Sequence, residues 1–170
     1  MRLSFWQRMD NWGRGVCPFV LTLLLVVFGA IPFHVPHFAP ISPSFLLIAV
    51  FYWVLHRPDL MPVWGSFALA VIADIITGGF VGVGALVILI FQLVVDSQRR
   101  FLLAGSFWVL WLAFSILIGF AIALEWVLVW LLTDGVLEYS SAAFRVLVTT
   151  AFYPFVTWIF VLVQRTVLKV

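Results

Sequence analysis

Apolar residues fill long stretches of this chain, and a few breakers cut them into six: 16–33, 43–55, 62–77, 80–95, 101–123 and 141–163. A helix that crosses a bilayer needs about 20 residues. The first, fifth and sixth stretches meet that length. The second, third and fourth fall short, and Pro40, Pro43, Pro58, Pro62, Gly78, Gly79, Gly82 and Gly84 bound them. Short, kinked or re-entrant helices survive at membrane depth only where protein covers the freed backbone. The pattern predicts an all-α, polytopic membrane protein of six transmembrane helices, three of them short, with the middle of the chain inside the bundle. The run 101–132 exceeds one crossing, since at 1.5 Å per residue it reaches about 48 Å against a hydrocarbon core of about 30 Å. Its end, carrying Glu125, Trp126 and Trp130, is expected at the outer interface, where tryptophan settles. Glu125 then reads as an interfacial residue.

Composition agrees with the pattern. Hydrophobic residues make up 65% and charged residues 9% of 170, and mean hydropathy is +1.23, beyond the balance of a soluble domain. The net charge of +2 does not signal nucleic acid, because basic residues stand singly or in pairs at segment ends. Arg2, Arg8, Arg14, Arg57, Arg99, Arg100, Arg165 and Lys169 fall before span one or in alternate loops, and the intervening loops hold no Lys or Arg. The positive-inside rule makes that side cytoplasmic. Six crossings of a membrane with both termini inside is the resulting topology.

The organisation follows. Residues 1–15 are expected to form a cytoplasmic interfacial helix, with Phe5, Trp6, Met9 and Trp12 on one face and Ser4, Arg8, Asn11 and Arg14 opposite. Residues 16–164 form the transmembrane domain, and 165–170 a cytoplasmic tail. The arginines ahead of 16–33 resemble a signal peptide, but the run is long enough to span and no small-x-small cleavage site follows it, so it reads as retained. Cys17 is the lone cysteine, which excludes an intramolecular disulfide.

Asp74 is the first candidate for function. An ionisable group at membrane depth costs roughly 3 kcal/mol or more unless something compensates it, so Asp74 should face protein. Arg145, one turn below the outer end of span six, has a matching predicted depth. The two are expected to pair across the bundle, with snorkelling of Arg145 to the headgroups as the alternative. The segment Gly78-Gly79-Phe80-Val81-Gly82-Val83-Gly84 lacks the Lys-Ser/Thr of a phosphate loop and the dinucleotide spacing. Its glycines are expected to make a tight outer turn and to allow close backbone approach. His34 and His37 flank Pro36 with no third ligand near, and His56 reads as a boundary residue. No metal site, cofactor site or catalytic set is expected, so the chain reads as non-enzymatic.

The stretch 43–100 carries a resemblance. It reads Pro43-Ser-Phe-Leu-Leu, then Phe51-Tyr52-Trp53-Val-Leu-His-Arg57-Pro58, then Trp64-Gly65, then Asp74-Ile-Ile-Thr-Gly78-Gly79-Phe-Val-Gly82-Val-Gly84-Ala85-Leu86. This resembles the rod-shape-determining MreD family of bacterial inner membranes, with Ala70 where that family often has Gly and Val83 inside its Gly-x-Gly element. The resemblance implies a non-catalytic subunit of the elongation machinery that builds lateral peptidoglycan. Its implied partner is the membrane protein MreC, with the MreB filament and the synthase complex of RodA and its transpeptidase reached indirectly.

Two readings of function result. The first is a membrane scaffold in which Asp74, Arg145, Gly78, Gly79, Gly82 and Gly84 shape the bundle, and Arg57-Pro58 its cytoplasmic face. Ser115 and Gly119, spaced i, i+4, mark a helix contact, either with a partner or within the bundle. The second starts from the family's likeness to the vitamin-binding components of energy-coupling-factor transporters. There Asp74 and Arg145 would hold a polar ligand between spans three and six. Short outer loops with few hydrogen-bonding residues speak against it.

Overall fold

The computed structural model describes residues 18–29, 43–133 and 139–167. Among them are α-helices α1 (Pro18–Gly29), α2 (Phe45–His56), α3 (Val63–Thr77), α4 (Val83–Ala104), α5 (Phe107–Leu132) and α6 (Tyr139–Val167), with one 3-10 turn at Pro58–Leu60 and no strand. The expected interfacial helix at 1–15, Cys17, His34 and His37 lie outside the described residues. Proline and glycine set most boundaries. Arg57 leaves the helical region at φ −145° and ψ 70° ahead of Pro58, as a residue before proline tends to. Pro62 caps the start of α3, and a left-handed Gly78 ends it.

Two boundaries differ from the expectation. Helix α4 begins at Val83 and runs through Asp96-Ser97-Gln98-Arg99-Arg100 to Ala104, so it is 22 residues long and not a short span. Those polar residues were expected to form a loop, yet most are good helix formers and none breaks a helix. The break comes at Gly105. Helix α5 accordingly starts behind Ser106 and runs unbroken for 26 residues, about 39 Å.

Side-chain contacts show that the helices alternate in direction. Phe19 at the start of α1 lies on Gly65 at the start of α3, while Gly29 at the other end meets Phe45 at the start of α2. Ser44, just ahead of α2, meets Arg145 and Thr149 near the start of α6. At the opposite end Tyr52 of α2 donates to Gln164 of α6. Arg99, late in α4, donates to Leu55, late in α2. Helices α1, α3 and α5 therefore run one way and α2, α4 and α6 the other.

The centre is α2. Every residue from Leu47 to Leu55 is at most 4% exposed, and Phe51 touches Phe91 of α4, Phe114 of α5 and Tyr153 of α6 at ring separations of 6.4, 5.0 and 5.8 Å. Apolarity alone does not select a centre in a bilayer, because lipid tails are as apolar as leucine. Length does. Twelve residues rise only about 18 Å, far short of a core of about 30 Å, so both ends of α2 would strand polar backbone in hydrocarbon. Neighbouring helices supply the missing partners. The Ser44 amide donates to Thr149 Oγ1 at 3.1 Å. Arg99 Nε donates to the Leu55 carbonyl at 2.9 Å, and Gln92 Nε2 donates to the Met61 carbonyl at 3.0 Å. A helix too short to span is thereby sealed inside those around it.

The same reasoning explains Pro154 within α6. Proline has no amide to give the carbonyl four residues back. That carbonyl, on Thr150, instead accepts Trp111 Nε1 of α5 at 3.2 Å. Helix α3, expected inside the bundle, is peripheral: it buries only Gly65, Ser66, Leu69 and Ala70, and Trp64, Phe67, Ile72 and Ile75 face outward.

Candidate functional site

Asp74 lies in the last turn of α3, half-buried, and faces the first turn of α4. Its Oδ2 accepts the Gly82 amide at 2.9 Å. Gly82 is the residue from which α4 starts, so the carboxylate sits at the positive end of that helix, where a negative charge is stabilised. Gly84 lies directly beneath the carboxylate. A Cβ there would collide with Asp74 Oδ1. The turn closes behind them as the Gly79 amide donates to the Asp74 carbonyl at 3.1 Å. Gly78 and Gly82 have φ of 69° and 101°, values that favour glycine. The glycines thus make the expected tight turn, two through backbone sign and Gly84 through close approach. Gly79 meets only Thr77 Oγ1, at 3.8 Å.

Arg145 does not pair with Asp74. Its Nη1 donates to Glu125 Oε1 and its Nε to Ser44 Oγ, both at 2.8 Å. The alternative of snorkelling to headgroups is likewise replaced by this internal bond. Thr149 completes the group: its hydroxyl donates to the Arg145 carbonyl at 2.6 Å and accepts the Ser44 amide. One arginine therefore ties α6 to α5 and to the buried start of α2. Glu125, expected to be merely interfacial, is the counter-charge. It lies seven residues before the end of α5, at the depth where α6 presents Arg145. Asp74 and Arg145 are each engaged by residues of other helices and not by one another, and nothing in this arrangement supports the vitamin-binding alternative.

At the other end, Arg57-Pro58 forms the turn from α2 into the 3-10 segment. The Met61 amide donates to the Pro58 carbonyl at 3.1 Å, and the Leu60 amide to the Arg57 carbonyl at 3.0 Å. On α5, Ser115 Oγ donates back to the Trp111 carbonyl at 2.8 Å. Gly119 is the informative position there, because a Cβ on it would meet nothing within 4 Å. Among the described residues no neighbouring helix uses its lack of a side chain. Trp108, Leu112, Ile116 and Phe120 are exposed along the same helix, between 55% and 71%.

Among the described residues no group of three His, Cys, Asp or Glu side chains is arranged to hold a metal. Two helices, Phe107–Leu132 and Ser141–Arg165, are each long and apolar enough to cross a membrane. No curated protein and no solved structure matches the chain. A family model described as rod shape-determining protein MreD matches residues 9–166, nearly the whole of the 170-residue sequence, and the chain belongs to that family.

Proposed function

We propose that this protein is a non-catalytic scaffold of the bacterial cell-elongation machinery, held in the inner membrane by six crossings and docking the membrane helix of MreC on the outward face of α5. A role in rod-shape determination follows from the family. The docking reading rests on Gly119. A glycine inside a helix costs about 1 kcal/mol relative to alanine, and nothing among the described residues occupies the space it leaves. A glycine i+4 from a serine on a lipid-facing surface is the pattern that lets a second helix approach closely. MreB and the synthase complex of RodA and its transpeptidase would be reached through MreC.

The topology half of the reading is supported by the alternating helix directions and by charge. Arg57, Arg99, Arg100 and Arg165 cluster at the end of the bundle opposite to Asp74, Glu125 and Arg145. By the positive-inside rule that end is cytoplasmic.

Co-purification of MreC with the full-length protein from membranes tests the docking surface. Gly119→Leu adds bulk where the bundle leaves room, so folded yield should match the parent. MreC recovery should fall about tenfold, the equivalent of roughly 1–2 kcal/mol of interhelical packing. Undiminished recovery with normal yield would remove the α5 face from the proposal.

A further inference from the structure

At the end of the bundle that holds Arg57 the arginines are in no ion pair among the described residues. Arg57 Nε is shut off from solvent and has no hydrogen-bond partner, and among the described residues no ion pair forms with Arg57 or Arg99. Among the described residues two carboxylates occur at this end, Asp59 and Asp96, and both are exposed. Arg99 is fixed in place, because its Nε donates to the carbonyl of Leu55, two residues before Arg57. A guanidinium stays charged at any physiological pH and presents its donors as a planar fork suited to phosphate.

The depth of the pair is marked by tryptophans. Trp64 at the start of α3 and Trp108 at the start of α5 lie at the same end and are 72% and 71% exposed, as expected of side chains at the headgroup level. At the same end Phe101 and Leu103 of α4 are 69% and 50% exposed, an apolar surface on which acyl chains can lie. Two guanidinium groups at one end of the bundle, one of them anchored and neither in an ion pair among the described residues, with exposed apolar side chains at the same end, suit an anion that carries its own hydrocarbon.

We propose that Arg57 and Arg99 form a binding site for the phosphate of an anionic phospholipid. The site is independent of the docking of MreC and of which leaflet this end faces. It differs from diffuse attraction of the basic face to a membrane in that Arg57 carries it and Arg100 and Arg165 do not.

Native mass spectrometry of the full-length protein in neutral detergent, titrated with phosphatidylglycerol, phosphatidylcholine or inorganic phosphate, tests it. Phosphatidylglycerol should bind at one site. The other two should not bind at matched concentration. Arg57→Gln breaks no bond within the protein and should fold as the parent does, with binding weakened about tenfold or more. Arg57→Lys, which keeps the charge and loses the fork, should also bind more weakly than the parent. Arg100→Gln should bind like the parent. The site is refuted if Arg57→Gln or Arg57→Lys retains parental binding, or if Arg100→Gln loses as much as Arg57→Gln. Equal binding of phosphatidylcholine or of inorganic phosphate would refute the lipid assignment.

Discussion

Substituting Gly84 by alanine sets two effects of opposite sign against each other. Alanine in place of glycine in a helix is worth up to about 1 kcal/mol, so propensity alone predicts stabilisation. The new methyl, however, would occupy the place of Asp74 Oδ1. To escape, the carboxylate must leave the Gly82 amide, which it holds at 2.9 Å. A hydrogen bond to a charged group is worth about 1.5–3 kcal/mol. The net expectation is destabilisation by about 0.5–2 kcal/mol. With about 2–4 °C of midpoint shift per kcal/mol for a chain of this size, Gly84→Ala should melt roughly 1–8 °C below the parent in a detergent thermal-unfolding assay. In an Asp74→Ala background the obstacle is gone, and the same Gly84→Ala change should raise the midpoint by about 2–4 °C. A change that reverses sign between backgrounds is the signature of direct contact. If Gly84→Ala stabilises both proteins alike, Asp74 does not rest on Gly84 and the account of this turn is wrong.

Other predictions use the same assay. Arg145→Ala leaves Glu125 without its counter-charge. With side chains 36% and 25% exposed, the pair lies between a surface pair worth about 0–1 kcal/mol and a buried one costing about 3–5 kcal/mol to break. A loss of about 2 kcal/mol is expected, much of it recovered in Arg145→Ala with Glu125→Gln; no recovery would deny the pairing. Trp111→Phe should cost about 1–3 kcal/mol by orphaning the Thr150 carbonyl. That cost should largely disappear beside Pro154→Ala, which restores an amide to the same acceptor, and an undiminished cost would show that the indole is not the carbonyl's partner.

The sequence exposed the helical class and the direction changes because proline and glycine stand where the backbone must turn: Pro43, Pro58, Pro62 and Gly78 bracket α2 and α3 to within two residues. It failed where polarity and helix propensity disagree. The run Asp96–Arg100 looks like a loop by charge, yet it continues α4, and that error shifted the start of α5 as well. Counting α5 from Phe107 would have set Glu125 eighteen residues, about 27 Å, along the helix and within reach of Arg145. Matching the depths of Asp74 and Arg145 was insufficient, because depth says nothing about which helices are neighbours. Asp74 needed no basic partner once α4 offered it a helix start. The role of Trp111 had a readable signal. A proline inside a spanning stretch leaves one carbonyl bare, and some donor must answer it.

The scaffold reading is tested most directly by photo-reactive residues introduced into the full-length protein in living cells, one at a time, at Leu112, Ile116 and Phe120 on α5 and at Ile72 and Ile75 on α3. All five side chains face outward, so none should disturb the bundle. The account predicts that MreC crosslinks to the three α5 positions and not to the two on α3. Crosslinks confined to α3, or none to MreC at any position, would contradict it.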